Sequence, residues 1–255
     1  MFPSWVDRGA FKDRAGVRVG DIVSGNDGDL ALSGVTDVLL GRLPAPFCID
    51  IGAAEGWWSE FVKMRKPEAQ ILAFEPNPGA FQRLFRRWKH LKGATVLPYA
   101  VSNKQGELLF NLDGERTHSR SNGKDRLPCV KLDPYIIQQV DFLKIDTEGH
   151  EPYILFDIQD RLPLFRNVCF EFSPFWYASP QHAVALLQMM GREYPYTYHL
   201  ARREIRAHPI DLKDEKSCIE LVKACMAQRY QTDILCSRES LVDIVKSWGA
   251  EKVSA

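Results

Sequence analysis

Three acids stand where apolar runs end, and each is followed by residues that could hold a ligand. Asp50 precedes Ile51-Gly52-Ala53-Ala54-Glu55-Gly56, Glu75 precedes Pro76-Asn77-Pro78, and Asp146 precedes Thr147-Glu148-Gly149-His150-Glu151. Small residues at 52 to 54 let the backbone approach a ligand, and a helix opening at Trp57 would aim its free N–H groups into that turn. Glu75 lies 75 − 56 = 19 residues beyond Gly56, at the end of the next apolar run. An acid there suits the two hydroxyls of a ribose. Asp146, Glu148, His150 and Glu171 are groups able to take a proton. The chemistry on offer is therefore the binding of a nucleotide-like cofactor beside a proton transfer.

The turn itself discriminates between cofactors. A dinucleotide fingerprint needs G-x-G-x-x-G, whereas this chain has G-x-x-x-G with Asp50 two residues upstream. A carboxylate at that point would repel a pyrophosphate. It suits a ligand carrying an amine and a sulfonium, the charge pattern of S-adenosylmethionine, and leaves a nicotinamide cofactor as the weaker alternative.

These residues need a scaffold of strands with helices between them. Phe47–Ile51, Gln70–Glu75, Thr95–Val101, Val140–Asp146 and Asn167–Phe172 read as strands, joined by Thr232–Cys236 and Tyr196–Leu200 towards the C-terminus. Helical spacing covers Trp57–Met64, Pro78–Leu91, Pro152–Ile158, His182–Met190, Lys216–Met226 and Ser240–Trp248. Glu107–Phe110 reads as the return of a hairpin or an edge insertion. Residues 111 to 126 lack an apolar period and read as a long polar loop. The alternation predicts a mostly parallel sheet covered by helices on both faces, with ligands beyond the carboxyl ends of the strands. Residues 1–45 read as an N-terminal extension with a short helix near Val35–Leu40, and residues 46–255 as one domain.

Several separated segments resemble one family. Cys48-Ile49-Asp50-Ile51-Gly52-Ala53-Ala54-Glu55-Gly56, Ala73-Phe74-Glu75-Pro76-Asn77-Pro78, Ala100-Val101-Ser102-Asn103, Lys131-Leu132-Asp133 and the run Asp141 to Glu151 are similar to the FkbM family of S-adenosylmethionine-dependent methyltransferases. The last run, with D-x-E-G-x-E directly after a strand, is the most specific. The resemblance implies a Rossmann-like class I methyltransferase fold, α/β, with a seven-stranded sheet and an antiparallel strand near the C-terminus that Thr232–Cys236 could supply. It also implies methylation of a hydroxyl on a small molecule or glycan. Carried over, Asp50, Gly52, Ala53 and Gly56 line the methionine portion, with Trp57 beside them. Glu75 holds the ribose, Pro76 and Asn77 flank the adenine, and Val101 and Ser102 close its pocket. The chain departs from the family at Ala54, Glu55 and Trp57-Trp58, where relatives more often carry Asn and polar or small residues.

Transfer of a methyl group from a sulfonium needs an aligned acceptor oxygen and a base for its proton. Asp146, at the end of the fourth strand, is the first candidate base or acceptor-orienting group and also borders the cofactor; His150 is the second, with Glu148 and Glu171 on the same rim. Four titratable groups around one mouth should resist joint ionisation and favour a charged imidazole at His150. The acids admit a magnesium-assisted route, but no ligand spacing compels one and no metal is expected. Phe172-Ser173-Pro174-Phe175-Trp176-Tyr177 could form a stacking wall for a sugar or could equally be core.

Composition bounds the remaining possibilities. Lys plus Arg and Asp plus Glu each number 33 in 255 residues, so no net field draws the chain to nucleic acid or membrane. RNA methylation stays open only through Arg83, Arg86 and Arg87, which otherwise form a solvated helix face. Six cysteines include no C-x-x-C pair, which argues against zinc and disulfide frameworks. No run of 18 apolar residues and no leader pattern is present, so a cytoplasmic protein is expected. A non-catalytic protein that keeps the cofactor pocket is the remaining alternative from another class.

Overall fold

The computed structural model describes residues 27–113, 116–119, 123–201, 206–244 and 247. Along the chain run α1 (Asp27–Leu40), β1 (Phe47–Ile51), α2 (Trp57–Arg65), β2 (Gln70–Phe74), α3 (Pro78–Trp88) and β3 (Ala94–Leu97). There follow β4 (Ala100–Val101), β5 (Gly106–Asp113), β6 (Arg116–Ser119), β7 (Asp125–Val130), β8 (Phe142–Ile145), α4 (Glu151–Asp157) and β9 (Asn167–Phe172). The chain continues through α5 (Pro180–Glu193), β10 (Tyr196–Ala201), β11 (Arg206–Pro209), α6 (Glu215–Gln228) and β12 (Thr232–Ser237). Residues 1–26 of the expected extension, and Val245, Lys246 and Trp248 of the expected last helix, lie outside the described residues.

The main sheet has the order β3-β2-β1-β8-β9-β12-β10-β11. β3 through β9 in that order are parallel, and β12 is antiparallel to β9, with Thr232 opposite Phe172 and Ser237 opposite Asn167. This is the Rossmann-like class I methyltransferase order, with the antiparallel strand where it was expected. The sheet has eight strands rather than seven, because β11 returns against β10 as a hairpin partner. At β1 the chain order reverses, with β2 on one side and β8 on the other, which makes the carboxyl ends of these three strands the natural ligand crevice.

Side chains alternate across the sheet and build two cores. Ile49, Ile51, Leu143 and Ile145 point to the layer formed by α4, α5 and α6, where Ile154, Leu186 and Val222 are buried. Cys48 and Phe142 point to the opposite layer, where Trp58, Val62, Leu84 and Trp88 of α2 and α3 pack with Val35, Val38 and Leu39. The helix expected near Val35–Leu40 is longer, starting at Asp27, and lies against α2 and the β10-β12 part of the sheet. Asp37 of α1 pairs with Arg65 of α2 through two hydrogen bonds of 2.9 and 2.7 Å. No helix among the described residues is long and apolar enough to cross a membrane.

Two local expectations are corrected. The run from Thr95 to Val101 is not one strand: β3 stops at Leu97 and β4 resumes at Ala100 in a different sheet. Pro98 cannot donate to a ladder, so the chain leaves the main sheet there. The stretch 111 to 126 is largely strand as well. β5, β6 and β7 form a second sheet of order β4-β7-β5-β6, in which β5 pairs antiparallel to both neighbours. Its small core of Ala100, Phe110, Leu127 and Cys129 lies wholly outside that window, which is why the window itself shows no apolar period.

One close approach fixes how α5 seats. A Cβ at Gly191 would lie 2.4 Å from the carbonyl carbon of Leu212 and 2.6 Å from its oxygen. Gly191→Ala should therefore force α5 off the segment leading into α6 and destabilise the fold by about 1–3 kcal/mol. Urea unfolding should show a lower midpoint with an unchanged slope; an unchanged midpoint would contradict this packing.

Candidate active site

The carboxyl ends of β1, β2 and β8 open onto a cavity of about 380 Å³, lined on one side by Gly52, Ala54, Glu75 and Pro76 and on another by Asp146, Thr147, Glu148 and His150. Tyr99, Val101, Leu108 and Phe110, from the second sheet and the turn before it, form the facing wall. The volume lies in the range usual for small-ligand pockets. Gly52, Trp57, Glu75, Pro76, Val101, Asp146, Glu148 and His150 are thus brought to one cavity. Asp50, Ala53, Gly56, Asn77, Ser102 and Glu171 are not among the residues that line it.

The glycine turn is shaped by contact with the neighbouring strand. Gly52 has φ +77°, and a Cβ there would stand 1.8 Å from the carbonyl oxygen of Asp146. Its N–H and that of Ala53 both donate to Phe74 O, at 2.9 and 3.0 Å. Gly56, at φ +79°, caps the start of α2 with no side-chain hydrogen bond. Glu55 is drawn outward to Arg83 at 2.6 Å and Arg87 at 3.2 Å, and Arg87 also meets Glu60 at 2.9 Å. The basic face of α3 is in this way partly engaged by the chain's own acids. Trp57, the first residue of α2, lines the cavity with 70% of its surface exposed, so it stands at the mouth rather than packed around the turn.

Glu75 is buried, and its two oxygens accept from Ala54 N and Asn77 N, each at 2.7 Å. Burial pushes its carboxyl up to about 7, against the pull of those two N–H groups; Asp50 adds to the rise and Lys144 opposes it. Asn77 is a helix cap: its Oδ1 accepts from Gly79 N at 2.9 Å and Ala80 N at 3.2 Å, which opens α3.

Asp50 is fully buried and faces away from the cavity, towards α2. Its Oδ2 accepts from Ser59 Oγ at 2.7 Å, and its Oδ1 lies 3.4 Å from Lys144 Nζ. The same ammonium lies 3.6 Å from Asp146 Oδ2 and donates to Gly52 O at 3.5 Å. Burial alone would lower the Lys144 pKa, but Asp50 and Asp146 outweigh it and hold the group above the ordinary lysine range. Lys144 was not among the candidate residues. A lysine between Leu143 and Ile145 in a buried strand is itself a signal, because such a charge must find a partner.

The segment after β8 is organised by Glu151, which is fully buried. Its carboxylate accepts from Thr147 N and Thr147 Oγ1, both at 2.8 Å, and from Gly149 N at 3.1 Å. Burial pushes this acid up to about 7, against those donors. The loop so held places Glu148 at φ +55°, and carboxylate oxygens of Asp146, Glu148 and Glu171 lie within 4.8 Å of one another. Glu171 reaches that group from β9 while buried. His150 does not respond to the acids as expected. Its Nε2 is 3.0 Å from Ser102 Oγ and its ring stacks on Tyr153 at 4.7 Å. Burial, helped by Lys104, lowers its pKa to about 4, so the imidazole is neutral rather than charged.

The aromatic run 172–177 is not among the cavity-lining residues. Phe172 and Tyr177 pack edge to face in the core, at 5.7 Å. Tyr99, Leu108 and Phe110 take the place expected for that wall, and an apolar alternation in β5 was the available signal for the last two.

Comparison with known proteins identifies the family. The model of the methyltransferase FkbM domain matches residues 50–198, more than half of the chain. Methyltransferase sdnD of Sordaria araneosa is 28% identical over 177 residues, covering 52% of this chain and 68% of that protein. Hexuronic acid methyltransferase AglP of Haloferax volcanii is 31% identical over 98 residues, 34% of this chain and 41% of its own. The 2-O-methyltransferase NoeI of Sinorhizobium fredii is 30% identical over 95 residues, 36% and 39% respectively. The chain spans less than half the length of the latter two. With the glycine turn, Glu75 and the Asp146–Glu151 loop converging on one cavity, the chain belongs to the FkbM methyltransferase domain family.

Proposed function

We propose that this methyltransferase uses S-adenosylmethionine to methylate a hydroxyl of a small molecule or glycan, with Asp146 as the base or the group that orients the acceptor. The observation that carries this reading is the pairing of Glu75 and Asp146 on one cavity, across the turn at Gly52. The residues fit the donor. Glu75 keeps lone pairs on both oxygens for ribose hydroxyls beyond its two backbone N–H contacts. Gly52 lets the turn pass against the backbone of Asp146, where any side chain would collide, and Pro76 and Val101 supply apolar surface for a base. The names of two relatives, one a 2-O-methyltransferase and one acting on a hexuronic acid, support oxygen as the target and a sugar as the acceptor class.

When bound, S-adenosylmethionine supplies an electrophilic methyl group on a sulfonium. The protein's part is alignment and proton removal. The Asp146 carboxylate would accept the proton that the acceptor hydroxyl gives up on methylation. His150, neutral and engaged with Ser102, serves as a wall. The three-carboxylate group at 4.8 Å also has the size to hold a divalent cation, and the two readings separate cleanly: activity that survives EDTA supports the metal-free route, and activity lost to EDTA and restored by Mg²⁺ supports the other.

Asp146→Asn should lower kcat by roughly 10²–10⁴-fold while calorimetry finds S-adenosylhomocysteine bound about as tightly as before. No binding of that ligand by the native chain at high micromolar concentration would defeat the donor assignment. A native chain that binds it yet methylates no acceptor would point to a non-catalytic role.

Glu75 gives the site a pH dependence. Its folded pKa of about 7 is raised above the ordinary carboxylate range, so the free protein holds it protonated below that pH. Ribose hydroxyls favour the ionised form. Affinity for S-adenosylhomocysteine should therefore rise with pH by up to about tenfold per unit below 7 and level off above it. Glu75→Gln should bind more weakly above pH 7 and abolish the slope; a wild-type affinity that is flat from pH 5.5 to 8 would refute the contact.

A further inference from the structure

Lys144 is a buried cation that the steps above leave without a defined task, and its placement gives it one. Parallel pairing of β1 with β8 sets Lys144 directly opposite Asp50, on the face away from Ile49, Ile51, Leu143 and Ile145. From there its ammonium reaches three groups: Asp50 Oδ1 at 3.4 Å, Gly52 O at 3.5 Å and Asp146 Oδ2 at 3.6 Å. The first lies beneath the glycine turn, the second is part of that turn, and the third stands in the cavity.

We propose that Lys144 is a positioning residue that couples the donor turn to the acceptor-side acid, by holding one oxygen of Asp146 and leaving the other free to meet the acceptor hydroxyl. This rests on the methyl-transfer reading of the site.

The burial of the three charged groups separates this task from a purely structural one. Asp50 is 0% exposed, Lys144 12% and Asp146 35%, measured on their side chains. A fully buried carboxylate needs a cation, so the Asp50 contact serves the fold. Asp146, one third open to water, does not need one in order to be tolerated. What it lacks without Lys144 is a fixed direction. Carboxylates of Glu148 and Glu171 lie within 4.8 Å of its own, and their repulsion would swing the Asp146 side chain away from them and off the line to the acceptor. Against its own burial, Asp50 and Asp146, with a smaller contribution from Asp233, keep the ammonium charged. The contact to Gly52 O ties the same group to the backbone of the turn, so a shift of the turn moves the cation and with it the acid.

Lys144→Met alone would strand Asp50 in the core, and its failure to fold would say nothing about positioning. The informative variant is D50N/K144M, in which the buried pair becomes neutral and similar in shape. It should melt close to the native chain and bind S-adenosylhomocysteine within a few-fold of it, while kcat falls by about 10²-fold and the donor KM stays near its native value. A role confined to neutralising Asp50 predicts instead that the double variant recovers native kcat, and that outcome overturns the proposal. Should the native chain turn over no acceptor at all, the methyl-transfer reading fails separately, and a crystal structure of the double variant then decides. An Asp146 carboxylate in its native orientation rejects the positioning role, and a reoriented one upholds it.

Discussion

The ion pair between Asp50 and Lys144, on neighbouring strands at the centre of the sheet, is the constraint on which the site depends. Removing two charges from water is costly, and a pair so placed contributes little net stability against an apolar replacement. Its effect is geometric. It locks the register of β1 against β8 at the point where strand order reverses, and the crevice, the glycine turn and Asp146 all lie one or two residues beyond it. A slip of β8 by one residue would send Lys144 to the opposite face, among Ile154 and Leu186.

A second buried acid does the same for the loop after β8. Three donors converge on the Glu151 carboxylate, and the loop they close presents Asp146, Glu148 and His150 to the cavity together. The acidic motif is therefore built from two kinds of carboxylate. Glu151 is spent on holding the backbone, while Asp146 and Glu148 keep partial access to solvent.

The central scaffold was legible in the sequence because its strands are buried on both faces and end in acids. Short, mostly apolar runs such as Phe47–Ile51 and Asn167–Phe172 read as buried strands, and the glycine turn and the acid 19 residues later mark the crevice they form. What the sequence hid follows a physical pattern. β5, β6 and β7 bury only one small face, so their period is faint, and Pro98 disguised a change of sheet as a pause in one strand. Asp50 was legible as important but not as buried: its type says charge, and only the facing Lys144 and Ser59 say where that charge is used. For His150, neighbouring acids suggested a cation, yet its ring turns to Ser102 and Tyr153, where its own burial and Lys104 favour the neutral form.

The second sheet has a consequence for how such a protein can diversify. Its four-residue core is separate from both cores of the main sheet, and it meets the cavity through Val101, Leu108 and Phe110. Changes in β5, the hairpin it forms or the wall it presents can accumulate without disturbing the register of β1, β2 and β8. The shape of that wall and the register that sets the crevice opposite it are thus governed by different sets of contacts.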